Sequence, residues 1–461
     1  MSDNGAGGNH KAKCETVRAT YSMCPVCLKK IPAKLIRKDD QIIYMEKTCD
    51  EHGSFSVPVW KGFFDFDRWI SREEPLDEKM SSLCDGRCSR CGDHPQDTCC
   101  VILEVTGDCN LRCPFCFALG GEREEMPSTA QIKKDIDRIV EIAGDPLLQL
   151  AGGEPTLRND LPELAAYAKK AGCSYVQVNS NGIRLAEDEA YVKALAGAGV
   201  DIVFLQFDGT DDEIYRKLRG RDFVETKRKA IENCSRHGIG VTLVPTIIRG
   251  INDDRIGEII WEAVRLFPAV RSVHFQPVTY LGRYPDVPEA ADRYTLDELM
   301  NDLVLQTGIP ENALLPSMCD HAACEFHSTF IVDDERQLIP VSDRKNDRRK
   351  GRTCAADNRR YVAEHWKSSG EDCGPGSMLP PGVPDAAAGI KLVSDEDKKM
   401  DFDTFVRYMK TRTMKISAMA FQDAMNIDLE RLSRCSLHVY EDGKIIPFCS
   451  KYMTPAKPSG R

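Results

Sequence analysis

Short apolar segments recur through the middle of the chain, and segments with a helical spacing of apolar residues lie between them. Runs of this length and composition predict strands, at 101–106, 147–151, 175–180, 202–207, 241–246 and 273–278. Helices are predicted in the intervening segments, for example at 129–143, 161–171 and 188–198. Because strands that alternate with helices pair in parallel, residues 101–300 are predicted to form six β/α units of a partial TIM-type barrel.

The pattern changes on both sides of this predicted barrel. Residues 1–22 begin polar and Gly-rich and are predicted to be a disordered tail. Residues 23–100 are predicted to form a small module with a hairpin at 35–46. Residues 301–461 form a C-terminal extension, in which 346–384 are charged and then Gly/Pro-rich, which predicts a loop or mobile insertion.

Composition narrows the class of protein. Hydrophobic residues make up 42% and charged residues 29% of the chain, as in ordinary globular proteins. With 62 Lys and Arg against 72 Asp and Glu, the net charge of −10 argues against a broad basic surface for nucleic acid. There is no apolar leader segment, and no run reaches the roughly 18 apolar residues of a membrane span, so we expect a cytoplasmic protein. Twenty cysteines in such a chain favour metal ligation over disulfides.

Three of these cysteines follow the first predicted strand. Cys109, Cys113 and Cys116 have the spacing C-x3-C-x2-C, which allows one loop to hold a [4Fe-4S] cluster and leave its fourth iron without a protein ligand. A structural zinc ion would need a fourth ligand nearby, and a disulfide is disfavoured in the cytoplasm. The second predicted strand ends on Gly-Gly-Glu-Pro at 152–155, and this order of strand, loop and turn favours the cluster.

The N-terminal module contains a separate group of thiols. Cys24 and Cys27 form a knuckle, and Cys49 is predicted as a third ligand of an iron or zinc ion. The candidates for the fourth ligand are His52, Cys14 and a cysteine further along the chain. A surface turn is the favoured interpretation of His52.

Further thiols suffice for auxiliary clusters. Cys84, Cys88 and Cys91 repeat the C-x3-C-x2-C spacing, but no Gly-Gly-Glu strand follows at barrel distance, which favours an auxiliary [4Fe-4S] cluster. Counting ligands then predicts that Cys99 and Cys100 complete two different sites, a mononuclear four-cysteine site and a fully ligated cluster.

The C-terminal extension offers one more set of four thiols, Cys319, Cys324, Cys435 and Cys449. A metal centre built from them would join the extension to the barrel rim. The predicted fold class is therefore α/β, a partial (β/α)6 TIM-type barrel with an N-terminal metal-knuckle module and a C-terminal auxiliary-cluster domain.

Active sites of parallel barrels lie at the carboxyl ends of the strands. The polar residues at the predicted strand ends are therefore functional candidates, namely Asn179, Ser180, Gln206, Asp208, Thr246, Arg249 and Gln276. Turn formation explains Asn181-Gly182 and Asp208-Gly209 at least as well.

The strand, the three-cysteine loop and the Gly-Gly-Glu turn together resemble the radical S-adenosylmethionine (SAM) superfamily. The resemblance implies that Cys109, Cys113 and Cys116 hold the catalytic cluster. It also implies that Gly152, Gly153 and Glu154 line the SAM site, and that the strand-end residues contact the ribose, carboxylate and adenine of SAM.

A closer resemblance rests on CPVCLKKIPAKLI and TCDEHG near the N-terminus, on the repeated C-x3-C-x2-C, and on the closing IPFCS. These stretches resemble the group that contains archaeal tetraether lipid synthase. Members of that group are also described as methyltransferases of a hydroxymethyl-dihydropterin. The C-terminal CSLHVYEDGKIIPFCSKYMT keeps the cysteines of the group but ends differently, so the substrate is left open by the sequence.

Three functions follow from these motifs. The first is the joining of two lipid chain ends by C–C bond formation after a 5′-deoxyadenosyl radical removes hydrogen from unactivated carbon, with docking at a membrane surface. The second is methylation of a dihydropterin or a similar small heterocycle. The third is a zinc-knuckle binding protein without redox chemistry. For the first two we expect SAM, a ferredoxin or flavodoxin as electron donor, and no nucleic acid.

Overall fold

The computed structural model describes residues 14–38, 41–71, 73, 97–122, 126–345, 354–365 and 401–456. Cys84, Cys88 and Cys91 lie outside the described residues, as do the first 13 residues and most of the predicted insertion.

The N-terminal module is an antiparallel sheet of four strands in sequence order. The strands are β1 (Glu15–Met23), β2 (Lys30–Arg37), β3 (Ile43–Cys49) and β4 (Gly53–Trp60). The predicted hairpin is confirmed as the β2–β3 pair. The predicted disordered tail, residues 1–22, includes too many residues, because β1 begins at Glu15 and pairs with β2 as far as Met23. Its β-branched and aromatic residues suit a strand, although the segment follows a Gly-rich start.

Aromatic side chains join this module to the rest of the protein. Trp60 and Trp69 are almost fully buried, and the short helix α1 (Phe66–Trp69) places Trp69 against the barrel. The indole N–H of Trp69 donates to the carbonyl of Ala322 over 2.9 Å. The backbone N–H of Lys61 donates to both carboxylate oxygens of Asp297, over 3.1 and 3.0 Å. The module is therefore fixed to two different parts of the larger domain.

The larger domain contains the predicted barrel strands. They are β5 (Cys100–Thr106), β6 (Leu147–Gly152), β7 (Tyr175–Ser180), β8 (Ile202–Gln206), β9 (Gly240–Val244) and β11 (Val270–Pro277). Neighbours along this series pair in parallel, so the predicted partial barrel is confirmed. The two-residue strand β10 (Thr246–Ile247) pairs with the end of β11.

Helices cover the outer face of this sheet. They are α2 (Thr129–Ala143), α3 (Leu161–Ala171), α4 (Ile183–Glu187), α5 (Glu189–Gly197), α6 (Asp212–Arg219), α7 (Val224–Arg236), α8 (Ile256–Arg265) and α9 (Leu296–Thr307). Strand residues such as Leu148, Val176 and Val203 are fully buried in the main apolar core with these helices. Alternate strand positions point the other way, into the barrel.

The C-terminal extension adds strands to both edges of the partial barrel. Beyond β11 lie β15 (Thr413–Met419), β13 (Glu325–Val332), β12 (Leu315–Pro316) and β14 (Leu338–Pro340). Beyond β5 lie β16 (Leu437–Glu441) and β17 (Lys444–Pro447). The predicted C-terminal extension is thus part of the barrel wall, because its strands hydrogen-bond to the open strand edges.

The two edges meet at one buried carboxylate. Asp320 accepts hydrogen bonds from the backbone N–H of Ser436 over 2.7 Å and from its hydroxyl over 2.9 Å. Asp320 follows β12, and Ser436 directly precedes β16. This contact closes the gap between the first and last walls of the barrel.

The remaining helices are α10 (Ala355–His365), α11 (Phe402–Thr411), α12 (Leu429–Ser433) and α13 (Phe448–Lys451). Helix α10 lies within the segment predicted as a loop, which is a correction. Its residues carry no Gly or Pro, so helix formation is not opposed locally. Of the helices described, none combines the length and apolarity needed to cross a bilayer.

Candidate active site

The three-cysteine loop begins two residues after β5 ends, at the carboxyl edge of the sheet. Cys109, Cys113 and Cys116 are partly buried and line one cavity of about 660 Å³. Backbone hydrogen bonds of 2.9 Å in both directions between Cys116 and Arg283 hold the end of the loop. The loop therefore presents three thiols to the interior of the barrel.

These thiols fit the ligand set of an iron-sulfur cluster. The backbone N–H of Leu111 donates to Sγ of Cys109 over 3.4 Å, the type of contact that stabilises cluster-bound sulfur. Burial raises the pKa of Cys109 to about 11, so its thiolate requires a compensating cation. Iron would supply that charge.

The Gly-Gly turn packs directly on this loop. The backbone N–H of Gly153 donates to the carbonyl of Thr106 over 2.8 Å, and that of Glu154 donates to the carbonyl of Asp108 over 2.7 Å. A Cβ atom on Gly152 would lie 2.2 Å from the Thr106 oxygen, and one on Gly153 would lie 2.0 Å from the Asp108 oxygen. Both positions therefore require glycine, because backbone atoms leave no room for a side chain.

Glu154 connects the ends of two neighbouring strands. Its Oε1 accepts from the hydroxyls of Thr156 and Ser180 over 2.6 and 2.8 Å, and its Oε2 accepts from the backbone N–H of Asn181 over 2.7 Å. Burial raises the pKa of Glu154, whereas these donors lower it. Glu154 lines the cavity, but its oxygens are held by its own chain, so the side chain positions the turn between β6 and β7.

Most of the predicted strand-end residues line the same cavity. They are Asn179, Ser180, Gln206, Thr246 and Gln276. Two predicted residues, Asp208 and Arg249, are not among the described residues that line it. Arg249 instead pairs with Glu298 on α9, outside the cavity. The structure therefore does not bring these two residues to the cavity wall, and their contact with SAM stays a prediction.

Asp208 has an indirect place in the site. It is fully buried and accepts hydrogen bonds of 2.7 and 2.9 Å from Nε and Nη2 of Arg219. Arg219 lines the cavity, and its positive charge lies close enough to interact with the Cys113 thiol. The sequence analysis missed Arg219 because it is the last residue of helix α6 and not a strand-end residue.

The N-terminal module brings four metal-binding side chains together. The ligand atoms of Cys24, Cys27, Cys49 and His52 lie within 4.8 Å of one another. Nδ1 of His52 lies 3.7 Å from Sγ of Cys24 and 3.5 Å from Sγ of Cys49. This tetrahedral-type set favours His52 as the fourth ligand, in preference to the surface-turn interpretation or the exposed Cys14.

Replacing His52 with Ala should weaken metal retention in the N-terminal module, because one of the four ligands is lost. We expect metal release to a chelator to become about tenfold faster or more. His237→Ala is the matched control, since His237 hydrogen-bonds Glu189 on α5 and not a thiol. Equal release rates from His52→Ala and wild type would exclude His52 as a ligand.

The four C-terminal thiols predicted to form one metal centre do not all lie together. Cys324, Cys435 and Cys449 line a second, small cavity, and two nitrogens of Arg431 each donate to Sγ of Cys324 over 3.3 Å. The fourth predicted member, Cys319, is not among the described residues that line this cavity and lies beside Cys99. The structure therefore brings three of the four predicted thiols to one small cavity, and their ligation of a metal stays a prediction.

Cys99 and Cys100 lie at the start of β5 and line the main cavity. Cys99 accepts a hydrogen bond from Nδ2 of Asn358 over 3.2 Å, and burial raises the pKa of Cys100 well above its usual value. Because His52 lies close enough to be the fourth ligand of the N-terminal set, the structure gives no support to the prediction that one of these two thiols completes it.

The barrel interior is lined by polar side chains. Nε2 of Gln177 donates to Oδ1 of Asn179 over 2.7 Å, and Nδ2 of Asn179 donates to Oε1 of Gln149 over 3.3 Å. His274 and Ser417 form a 2.9 Å hydrogen bond on the opposite wall. TIM-type barrels are ordinarily filled with branched apolar residues, so this interior is suited to a polar ligand.

His274 should make the stability of the protein depend on pH. Burial lowers its pKa to about 4, below the ~6.5 of an unfolded chain, so only the unfolded state gains a proton as the pH falls through this window. The free energy of unfolding should fall with pH, by at most roughly 3 kcal/mol. Chemical denaturation at pH 7 and 5.5 should give a smaller difference for His274→Gln. Equal differences in both proteins would contradict the assignment.

Aromatic side chains line another part of the cavity. Phe421 stacks on Phe448 with ring centroids 4.1 Å apart, and Phe117 packs against Phe448 and Tyr452 at 5.0 and 4.9 Å. Phe117 remains 38% exposed and belongs to the three-cysteine loop. The cavity therefore combines a polar interior with an aromatic wall beside the cysteines.

Comparison with known proteins identifies both parts of the chain. Residues 103–261 match the radical SAM superfamily, and residues 16–61 match the HMPTM N-terminal zinc ribbon domain. The chain is 33% identical over 484 residues to 7,8-dihydro-6-hydroxymethylpterin dimethyltransferase of Methanocaldococcus jannaschii, covering 94% of this chain and 93% of that protein. It is 36% identical over 152 residues to Fe-coproporphyrin III synthase of Methanosarcina barkeri, covering 32% of this chain and 36% of that protein.

Solved structures resemble the chain only weakly. Streptococcus suis SuiB bound to S-adenosylmethionine has a TM-score of 0.36 and 16% identity, covering 47% of this chain and 50% of that chain. Methylornithine synthase (PylB) has a TM-score of 0.36 and 14% identity, covering 52% of this chain and 75% of that chain. Similarities of this size do not establish a shared function.

Proposed function

The chain belongs to the radical SAM superfamily, in the family of the Methanocaldococcus jannaschii dihydropterin dimethyltransferase, and on this premise we propose that it methylates carbon on a dihydropterin or a similar small polar heterocycle. The single observation that carries the choice of substrate is the group of hydrogen-bonding side chains, Gln149, Gln177, Asn179 and His274, in a cavity whose remaining lining is mostly apolar. A low-potential ferredoxin or flavodoxin is the proposed electron donor.

Cys109, Cys113 and Cys116 would hold the catalytic [4Fe-4S] cluster, since they are three partly buried thiols on one loop facing one cavity. Bound there, the cluster would supply the single electron that splits SAM into methionine and a 5′-deoxyadenosyl radical. The methyl group of that SAM leaves with methionine, so the proposed methylation also needs a separate one-carbon donor, such as a second molecule of SAM. Gly152 and Gly153 keep the backbone of the turn against the loop, and the Asp208–Arg219 ion pair orients a cationic group beside Cys113. The enclosing barrel walls restrict water around the reacting atoms.

Hydrogen-bonding capacity inside the barrel supports a heterocycle as substrate. Gln149, Gln177, Asn179 and His274 line the cavity that also contains the cysteines. Burying alkyl chains against these amide and imidazole groups would remove them from water without offering hydrogen bonds in return. A ring with several N–H and carbonyl groups would satisfy them.

A second candidate function is the joining of lipid chain ends, the first expectation from the sequence. The observation that favours it is the aromatic wall of Phe117, Phe421, Phe448 and Tyr452 beside the cysteine loop. Such a wall would accommodate a hydrocarbon chain. It would equally accommodate the adenine ring of SAM or a pterin by stacking.

Product analysis separates the two functions. The gene would be expressed anaerobically in one host, and the lipids and pterins of the same extract would be analysed by mass spectrometry. The proposal predicts pterins heavier by one or two methyl groups, which are absent from a host expressing Cys113→Ala. Lipids lighter by two hydrogens per joined pair, with unmodified pterins, would instead establish lipid chain coupling. Colourless protein with zinc and no iron would refute both.

A further inference from the structure

We propose that Glu325 is the residue that selects the substrate, by accepting two hydrogen bonds from the amino group and ring N–H of a 2-aminopyrimidinone edge. This inference rests on the proposed function and adds a residue and a recognition chemistry to it. Glu325 was not a candidate in the sequence, because it lies on a strand that the sequence did not predict.

Topology places Glu325 at the catalytic end of the barrel. Strand β15 runs parallel to β11, and β13 runs antiparallel to β15. Glu325 begins β13 and pairs with Met419, the last residue of β15. It therefore lies at the carboxyl edge of the parallel strands, the edge that also bears the three-cysteine loop.

The Glu325 side chain lines the same cavity as the three thiols. The hydroxyl of Ser317 donates to its Oε2 over 2.8 Å, which fixes the orientation of the carboxyl group. A carboxylate has about four lone-pair positions, so this one bond leaves capacity for a ligand. An oriented carboxylate beside a cavity is suited to two parallel N–H donors, as in other bidentate carboxylate contacts.

The other charged groups of this wall agree with a ring that has both donors and acceptors. Burial and the nearby Asp320 carboxylate raise the pKa of Glu325, so two N–H donors of a ligand would stabilise its charged form. Lys415, which lines the cavity from β15, lowers that pKa. Along β13 and β15, the pair of His327 and Ser417 lies between Glu325 and Lys415. The wall therefore presents, in order, the Glu325 acceptor, these two polar side chains and the Lys415 donor. A hydrocarbon chain would leave the acceptor positions of Glu325 that Ser317 does not fill without a hydrogen bond in the occupied site, which disfavours binding of such a chain.

The test uses two probes that differ at one position. Binding of 6-hydroxymethylpterin and of its 2-oxo analogue, 6-hydroxymethyl-lumazine, would be measured by fluorescence on the reconstituted holoenzyme with SAM. Wild type should bind the pterin at least tenfold more tightly than the lumazine. Glu325→Gln should lose at least tenfold in pterin affinity and nearly all discrimination, because the amide offers only one acceptor oxygen. Glu163→Gln, an exposed residue of α3 paired with Lys133, is the matched control.

Each outcome decides one claim. Unchanged pterin affinity and discrimination in Glu325→Gln would overturn the role of Glu325 while leaving the proposed function intact. If the wild-type protein binds both probes equally tightly, the proposed recognition of the amino group is contradicted by this result alone, whatever the variants show. Binding of neither probe by wild type would remove the proposed function and this inference together. Dithionite-driven cleavage of SAM by Glu325→Gln checks that the variant retains its fold and cluster.

Discussion

Replacing Cys113 with Ala is expected to lower formation of 5′-deoxyadenosine from SAM by about three orders of magnitude or more. The reason is that Cys113 is the central ligand of the three-cysteine loop, and a cluster held by two thiols would be lost or would lack the geometry for SAM. The measurement is chromatographic quantification of 5′-deoxyadenosine after anaerobic reconstitution with iron and sulfide, in the presence of dithionite.

Cys234→Ala provides the matched control for this prediction. Cys234 is buried in helix α7, away from the cavity, and its replacement removes a small apolar side chain. We expect a loss of stability of about 1 kcal/mol and no loss of SAM cleavage. Equal activity of Cys113→Ala and Cys234→Ala would contradict the assignment of the catalytic cluster.

Replacing Gly153 with Ala is expected to weaken SAM binding by about a hundredfold or more, because the loop and the turn must separate to admit a methyl group. A Cβ at this position would lie 2.0 Å from the carbonyl oxygen of Asp108. Relief of this clash would displace the turn, the loop or both. Binding would be measured by equilibrium dialysis with labelled SAM, alongside the iron content.

Gly197→Ala tests whether glycine replacement alone causes the loss. Gly197 is the last residue of helix α5, and a Cβ there would contact nothing within 4 Å. Alanine is favoured in a helix, so this variant should be as stable as wild type or more so by ~0.5–1 kcal/mol. Normal SAM affinity in Gly153→Ala would show that the close backbone packing is not required.

The barrel strands could be predicted because each is a short apolar run bounded by turn residues. Strand β5 is predicted at 101–106 and is observed at Cys100–Thr106. Strand β7 is observed at the predicted residues, 175–180. The strands of the extension were not predicted, since β13 and β15 form by pairing with each other and with β11. Such long-range pairing leaves little trace in a local pattern.

Some residues of the candidate site could likewise be predicted from the sequence, and others could not. The three cysteines and the Gly-Gly-Glu turn are contiguous motifs, so the sequence was sufficient to select them. Arg219 enters the cavity from a helix end, and Cys319 approaches Cys99 across 220 residues of chain. These contacts depend on how the elements pack, which spacing alone does not encode.

The most direct test of the central claim is the stoichiometry of SAM cleavage by the wild-type protein. Protein reconstituted anaerobically with iron and sulfide would be mixed with SAM and dithionite, and methionine and 5′-deoxyadenosine would be quantified. The account predicts both products in equal amounts. Iron-loaded protein that yields neither product, under conditions in which the cluster is reduced, would contradict it.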